Sequence, residues 1–255
     1  MIHNTPTYIS LFSSAGVGCY GFKIAGFKCI ATNELIERRL NIQKINKKCD
    51  LDTGYIAGDI TDKNIQNSIF SEITKWQKQG NDNVDVLIAT PPCQGMSVAN
   101  HKKNNQDYNR NSLVVESIRI VQAIKPRFFI FENVPAFMNT VCEAPDGTPK
   151  AIGNVIEEEL GKDYSFISRV INFKNYGANS SRTRTLVIGV HNKLADLISP
   201  VELYPTYREE VTLAEVLKGL PSLGGLHEGK DHELVIRALS EALGRSAPPF
   251  PGVLV

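Results

Sequence analysis

The sequence lacks the features of membrane, secreted and metal-binding proteins. Its five cysteines are scattered and none forms a CxxC pair, which argues against a disulfide framework or a zinc knuckle. The first residues, MIHNTPTYIS, lack the charged start and apolar core of a signal peptide, and no uncharged apolar run approaches the length of a membrane span. We therefore expect a cytoplasmic protein with reduced thiols that binds no metal and no membrane.

A strong charge of one sign is also missing. The formal net charge is +1 at pH 7, so no global basic field indicates a nucleic-acid partner, and any such partner must meet a local patch. The hydrophobic fraction of 42% and the charged fraction of 22% are ordinary for a globular protein. A chain of 255 residues accommodates one large α/β domain or two small ones.

What is present is an alternation of short apolar runs with longer amphipathic segments. The runs predict strands at 7–12, 28–33, 54–59, 84–90, 127–133, 166–172 and 185–190, and helical spacing recurs at 35–46, 64–79, 112–124 and 151–162. This alternation predicts an α/β fold with a mostly parallel sheet of about seven strands and helices on both faces. In such sheets ligands bind at the carboxyl ends of the strands.

Two stretches have no such pattern. The segment 95–111, GMSVANHKKNNQDYNRN, is polar and basic, and so long a loop in a compact domain is usually a lid or a disordered segment. After residue 191 the pattern weakens, and short helical stretches are interrupted by Gly and Pro.

Three strand ends in series carry residues suited to a nucleoside. The first runs into SLFSSAGVGCYGF, whose small residues allow a turn close to a ligand, although a plain tight turn is the alternative and the spacing does not match GxGxxG. The second ends at Glu34, which is placed to bind both ribose hydroxyls or, as a surface residue, to cap the next helix. The third ends before Asp59, an acceptor for an exocyclic amine of adenine or a helix N-cap. Together they predict a nucleoside-bearing cofactor across the sheet edge.

The next two strand ends carry a nucleophile and an acid. Cys93 follows two prolines in ATPPCQGMSVAN, and these prolines fix two φ angles and aim the thiol, the most nucleophilic side chain available. Glu132 ends the fifth strand in FENV and should neighbour Cys93; alone, it would be interpreted as a helix cap. Such a pair suits a reaction in which the thiol attacks an electrophilic ring while the acid stabilises the charge that develops on a ring nitrogen.

Two arginines precede the last predicted strand. Arg182 and Arg184, in NYGANSSRTRTLVIGV, are one residue apart and so point to one face. An exposed ion-pairing face is the ordinary explanation. At the border of a cleft, the same arginines can bind a carbonyl or a phosphate through two hydrogen bonds.

Five sequence elements in a fixed order resemble the motifs of the cytosine-C5 DNA methyltransferases. They are LFSSAG, NE with GDI, PPCQGMS, FENV and YGANSSRTR. The resemblance implies the Rossmann-like fold of S-adenosylmethionine-dependent methyltransferases and a cytosine flipped out of double-stranded DNA. It assigns catalysis to Cys93, Glu132, Arg184 and Arg182; cofactor contacts to Phe12, Ala15, Gly16, Glu34, Asp59, Ile60, Pro92 and Leu113; and DNA contacts to Gln94, Ser97, Lys102, Lys103, Arg110 and Asn133.

The chemistry that the resemblance implies explains these residue types. The thiolate of Cys93 adds to C6 while Glu132 donates toward N3, so C5 becomes able to attack the sulfonium methyl group. Loss of the C5 proton and expulsion of the thiolate then restore the ring. The segment 95–111 suits a lid that closes over the flipped base. A prokaryotic, nucleoid-associated enzyme of a restriction-modification system is the expected setting.

The chain also departs from the family pattern. Ser14, Val17 and Asn100 stand at glycine positions, and Asn179 and Ser180 replace the Pro-Gln that normally precedes the arginines. Neither the target-recognition domain nor the final Gly-Asn element of the family is visible.

We therefore expect a catalytic and cofactor-binding domain at 1–191 and a segment at 192–255 that leads toward a recognition domain, as in a truncated or split enzyme completed by a second polypeptide. A non-catalytic fragment that binds cofactor or DNA, and a tRNA cytosine-C5 methyltransferase, remain alternatives. A nicotinamide-dependent oxidoreductase would leave Cys93 and Glu132 without a role.

Overall fold

The computed structural model describes residues 5–80, 83–92, 113–178 and 180–209. In these ranges the strands are β1 (Thr7–Leu11), β2 (Lys28–Glu34), β3 (Tyr55–Ala57), β4 (Val86–Ala89), β5 (Phe128–Asn133), β6 (Val141–Glu143), β7 (Pro149–Ala151), β8 (Tyr164–Asn172) and β9 (Thr183–His191). The α-helices are α1 (Tyr20–Ile24), α2 (Glu37–Ile45), α3 (Lys63–Lys78), α4 (Leu113–Ile124) and α5 (Ile152–Leu160).

Seven of the strands form one sheet in the order β3-β2-β1-β4-β5-β9-β8. The pairings among β1 to β5 are parallel, whereas β9 is antiparallel to both of its neighbours, β5 and β8. The first residues of β9 therefore lie at the edge where β1 to β5 end, which we call the carboxyl edge; the opposite edge is the amino edge. The predicted mostly parallel, seven-stranded α/β sheet is confirmed.

The central strands are apolar because helices cover them on both sides. Every residue of β1 and of β4 is buried, as expected for strands in the middle of a parallel sheet. Farther along, Phe129 of β5 lies opposite Gly189 of β9. A Cβ atom at Gly189 would lie 2.0 Å from the Phe129 ring, so the missing side chain lets the ring pack over β9.

The longer helices begin and pack as their sequences indicate. The side chain of Asp62 accepts a hydrogen bond from the backbone amide of Asn64 and caps α3. The apolar face of α3 then buries Ile69, Ile73 and Trp76 against the sheet. Burial of three large apolar side chains contributes about 1.5–3 kcal/mol each and holds α3 in place.

Some predictions of secondary structure were wrong. The hairpin of β6 and β7 and the five-residue helix α1 were not predicted, because elements of three to five residues leave little periodicity. The third predicted strand, 54–59, is reduced to Tyr55–Ala57. It starts after a 3-10 turn and ends at Gly58, whose φ of 140° leaves the extended conformation.

Four cysteines lie within the described ranges, and all four are free and buried: Cys19, Cys29, Cys49 and Cys142. Burial raises the pKa of the Cys142 thiol to about 11, so this residue behaves as a small apolar side chain. None of the helices described is long and apolar enough to cross a membrane.

By its contacts the chain divides into two compact units. The first, Met1–Asn172 with Arg182–Thr206, contains the sheet and its helices. The second is Phe173–Ser181 with Tyr207–Val255; in its described part Tyr176 and Arg208 form a parallel bridge. The predicted boundary near residue 191 stays a prediction, and the segment 95–111 lies outside the described residues.

Candidate active site

A cavity of about 710 Å³ opens at the carboxyl edge of the sheet. Its volume lies in the range of about 300–1,000 Å³ that is typical of small-molecule sites. Loops from β1, β2, β3, β4 and β5 and the start of β9 contribute to its wall. The lining residues are Phe12, Ser14, Asn33, Glu34, Leu35, Ile36, Arg39, Gly58, Asp59, Ile60, Thr90, Pro91, Pro92, Leu113, Glu132, Asn133, Val134, Arg182 and Arg184.

The turn after β1 adopts a conformation that most side chains avoid. Phe12 and Ser14 have φ angles of 53° and 49°, and Gly16 has a φ of 87°. A left-handed conformation costs a non-glycine residue about 1–2 kcal/mol, so the surrounding contacts must hold this turn. Val17, which also stands at a glycine position of the pattern described above, begins a 3-10 helix and needs no such conformation.

Glu34 at the end of β2 holds this turn from one side. Its Oε2 accepts a hydrogen bond from the amide of Ser14 at 2.8 Å, and its Oε1 accepts from the amide of Ile36 at 3.1 Å and from Arg39 at 3.0 Å. The residue is only 5% exposed, so it is not a surface residue, whereas its bond to the amide of Ile36, directly before α2, agrees with the helix-capping alternative. A carboxylate has about four acceptor positions, which leaves one for a ligand hydroxyl.

The end of β3 adds an acidic and an apolar side chain. Asp59 is exposed, and its Oδ1 accepts from the amide and the hydroxyl of Thr61, each at 2.9 Å. It does not cap α3, since Asp62 does, so the N-cap alternative for Asp59 is wrong. Ile60 and Leu113, the first residue of α4, provide apolar surface in the same cavity.

At the other end of the cavity, two arginines converge on Glu132. The Nε of Arg184 lies 3.1 Å from the Oε1 of Glu132, and the Nη2 of Arg182 lies 3.5 Å from the same oxygen. Glu132 sits opposite Leu186 in the β5–β9 register, and the antiparallel direction of β9 brings both arginines to the end of β5. Both ion pairs use Oε1, and Oε2 takes part in neither.

Hydrogen bonds between loops fix the spacing of the strand ends. The amide nitrogen of the Asn133 side chain donates to the carbonyl of Pro91 at 2.9 Å, so the end of β5 is tied to the Pro-Pro segment. The Thr90 hydroxyl donates to the carbonyl of Phe12 at 2.9 Å, which ties β4 to β1. Because Asn133 is buried and its Oδ1 accepts from the amide of Val134, both polar ends of this side chain bind within the protein.

A family model for C-5 cytosine-specific DNA methylases matches residues 7–233. The chain belongs to this family. The Type II methyltransferase M1.HgaI of Avibacterium volantium is 32% identical over 226 residues, which cover 87% of this chain and 58% of that protein. M.AquIA of Picosynechococcus sp. is 31% identical over 189 residues, which cover 71% of this chain and 70% of that protein.

A solved structure described as a DNA modification methyltransferase encoded within an E. coli prophage superposes with a TM-score of 0.64 at 26% identity. The match covers 86% of this chain and 56% of that chain, and it confirms the Rossmann-like methyltransferase fold. The chain spans about half the length of several curated relatives: 58% of M1.HgaI and 46% of M.XorII.

The methylase family takes its methyl group from S-adenosylmethionine, and the described residues fit this cofactor. Apolar surface from Phe12, Ile60 and Leu113 suits an adenine ring, and the carboxylates of Glu34 and Asp59 provide acceptors for ribose and amine groups. Of the predicted cofactor residues, Ala15 and Gly16 lie in the same turn but do not line the cavity.

Six predicted methylase site residues lie outside the described residues: Cys93, Gln94, Ser97, Lys102, Lys103 and Arg110. The described chain reaches Pro92, which lines the cavity directly before Cys93. The catalytic and DNA-contact roles of these residues stay predictions.

Sequence reasoning missed several lining residues of this methylase cavity. Leu35 and Ile36 follow Glu34 into the cavity, Arg39 pairs with Glu34, and Thr90 ties two strand ends. Arg39 has a weak sequence signal, since it lies in the first turn of a helix that begins directly after an acidic strand end. Leu35, although apolar, is 65% exposed in the cavity wall, which only the folded chain reveals.

Proposed function

We propose that this chain is the catalytic and cofactor-binding part of a DNA (cytosine-5-)-methyltransferase that uses S-adenosylmethionine. One observation carries the proposal: Glu132 and two arginines converge at the end of β5, in the same cavity as the Glu34 carboxylate and beside the Pro-Pro segment that leads to Cys93. Names of relatives such as M1.HgaI point to Type II methylation, and we extend that activity to this chain as part of a restriction-modification system.

In the proposed reaction Cys93 supplies the electrons. Its thiolate forms a bond to C6 of a flipped cytosine, and a proton on the Oε2 of Glu132 moves to N3. Arg184 and Arg182, held on Oε1, keep the carboxyl group oriented with Oε2 available to the base. The cofactor supplies a methyl group on a sulfonium, which C5 of the adduct takes up.

The second half of the reaction restores the aromatic ring. The C5 proton leaves to solvent, the bond between sulfur and C6 breaks, and the Cys93 thiolate is released. The N3 proton returns to Glu132, so the protein ends in its starting state. A flipped base costs a few kcal/mol, and pocket contacts must supply this energy.

We also propose a partner polypeptide, a DNA substrate and a cellular location for the enzyme. A second polypeptide that carries a recognition part is proposed as a partner of this chain, next to double-stranded DNA. The enzyme acts on double-stranded DNA in the nucleoid of a prokaryotic cytoplasm. The observed cavity lies in the first compact unit alone.

The test is transfer of a labelled methyl group from S-adenosylmethionine to duplex DNA, with and without a complementing polypeptide. A parallel reaction uses DNA containing 5-fluorocytosine, which traps a covalent adduct with the nucleophile. Wild type should transfer and be trapped, Cys93→Ser should do neither, and Cys142→Ser, which alters a buried thiol of β6, should behave as wild type.

Three outcomes would count against the proposal. Cofactor binding that Cys93→Ser leaves unchanged, with neither transfer nor trapping in any mixture, would indicate a non-catalytic binding fragment. Methylation of tRNA with none of duplex DNA would move the activity to RNA. Full transfer by the chain alone would refute the second polypeptide.

A further inference from the structure

A buried glutamine lies beneath the turn that follows β1. Gln43 of α2 is 1% exposed and does not line the cavity. Its Nε2 donates to the hydroxyl of Ser13 at 2.8 Å and to the carbonyl of Ser14 at 2.5 Å. Its Oε1 accepts from the hydroxyl of Thr32 at 2.9 Å, so each polar atom of the amide is bound.

Lys48 contacts the Thr32 hydroxyl that donates to Gln43. The Lys48 ammonium, on a residue only 8% exposed, donates to the Thr32 hydroxyl oxygen at 3.1 Å. Because that oxygen accepts from Lys48, its single proton is left for its two acceptors, the Oγ of Ser13 at 2.7 Å and the Oε1 of Gln43 at 2.9 Å. The Ser14 carbonyl can only accept, so the Nε2 of Gln43, and not its Oε1, faces the turn.

Both backbone polar groups of Ser14 are therefore bound by buried side chains. Gln43 binds its carbonyl and Glu34 binds its amide, at a residue whose φ is 49°. Such a conformation persists only where the surroundings hold it. Gly16 rests on the same glutamine, since a Cβ atom there would lie 3.0 Å from the Cγ of Gln43.

We propose that Gln43 is a positioning residue for the cofactor. It holds the strained turn, and through the Ser14 amide it also fixes the Glu34 carboxylate that lines the cavity. This inference rests on the proposed function, because it names S-adenosylmethionine as the ligand that the turn receives. No other described residue donates to the Ser14 carbonyl among the hydrogen bonds of the turn.

The experiment compares Gln43→Met with a matched control, Gln122→Met. Methionine keeps the length and packing of glutamine and removes its hydrogen bonds. Gln122 also ties two elements, since its Nε2 binds the backbone and side chain of Glu159 at 3.0 and 2.8 Å, but it is remote from the cavity. Binding of labelled S-adenosylmethionine is measured by equilibrium dialysis, and the melting temperature of each variant is recorded.

Gln43→Met should weaken cofactor binding about tenfold, the factor expected for about 1.4 kcal/mol of lost hydrogen bonding. Gln122→Met should change binding less than about twofold, although it also loses stability. Hydrogen exchange of the amides of Ser13, Ser14 and Gly16, measured without cofactor, should be faster in Gln43→Met alone. If Gln43→Met does not fold, Thr32→Val replaces it: this variant removes the donor to Gln43 and to Ser13 and an acceptor of Lys48, and it should weaken cofactor binding and speed exchange in the turn in the same direction.

Equal cofactor affinity in wild type and Gln43→Met, with unchanged exchange in the turn, would overturn the inference. The same holds if both glutamine variants weaken binding equally, since that result indicates general destabilisation. If wild type takes up no cofactor, the proposed function fails, whereas faster exchange at Ser14 in Gln43→Met still supports the positioning role.

Discussion

The two edges of the sheet carry cavities of almost the same volume and very different chemistry. The cavity at the amino edge is about 720 Å³ and the cavity at the carboxyl edge about 710 Å³. At the amino edge two of the lining cations each pair with a carboxylate of their own: Arg127 with Asp85 and Lys125 with Asp163, both at 2.9 Å. The Lys125 ammonium, hydrogen-bonded to Asp163, lowers the pKa of that carboxyl group.

At the carboxyl edge the charges are not matched one to one. Arg182 and Arg184 share a single oxygen of Glu132, and the turn after β1 is strained. Among the described residues, this arrangement places two guanidinium groups on one carboxylate oxygen and leaves Oε2 of Glu132 out of both ion pairs. Volume therefore does not distinguish the two cavities, and backbone strain does not either, since Lys125 at the amino edge has a φ of 51°. What differs is that two arginines share one carboxylate oxygen at the carboxyl edge.

The largest effect should come from Glu132→Gln. The amide cannot transfer a proton to N3, so methyl transfer should fall by about 100- to 10,000-fold, as for loss of a general acid. The matched control is Asp163→Asn, which makes the same chemical change at the amino edge and should leave transfer unchanged. Equal losses of methyl transfer in the two variants would show that the two edges do not differ in function.

Glu34→Gln should have the next largest effect, on cofactor binding. The variant loses charge-assisted bonds to the Ser14 amide and to Arg39, so the dissociation constant for S-adenosylmethionine should rise by about 10- to 100-fold. Glu72→Gln is the control, because Glu72 is also a buried carboxylate, paired with Lys75 on α3 and outside the cavity. Equilibrium dialysis should show weakened binding for Glu34→Gln only; weakened binding in both would mean that stability alone is measured.

The two arginines should differ from each other. Arg184 is the closer to Glu132 and has a side chain 21% exposed, against 51% for Arg182. Replacement of Arg184 by Lys should reduce methyl transfer about tenfold, because lysine cannot reproduce the Nε contact. Arg182→Lys should cost about two- to threefold, as expected for an exposed ion pair. Steady-state transfer rates would contradict this ranking if Arg182→Lys were the more damaging variant.

The smallest expected effect is that of Ser14→Gly. Glycine adopts a φ of 49° without steric cost but loses more entropy on folding, so the free energy of unfolding should rise by at most about 1 kcal/mol. Cofactor affinity should be retained, since the backbone amide and carbonyl that bind Glu34 and Gln43 remain. Denaturant unfolding with and without S-adenosylmethionine measures both quantities, and a clear loss of stability would show that Ser14 carries no strain.

Much of the fold followed from local patterns. Seven apolar runs mark the seven strands of the sheet, and the residues after them identify the carboxyl edge. The predictions of secondary structure were wrong where the pattern was short: the bounds of β3 were too wide, and the β6–β7 hairpin was missed. Gln43 was not predicted, because a polar residue on a helix has no sequence signal for burial or for a partner far away in the chain. Arg39 was missed although its place in the first turn of α2 gives it a weak signal.

The sequence by itself determined the family, the mostly parallel sheet and the residue types at its strand ends, because periodicity and motif order are local properties. Only the tertiary structure decided that β9 runs antiparallel, so that Arg182 and Arg184 meet Glu132, and that Gln43 lies buried beneath Ser14. These contacts join residues 29 to 52 positions apart, and pairing over such distances depends on the packing of the whole sheet.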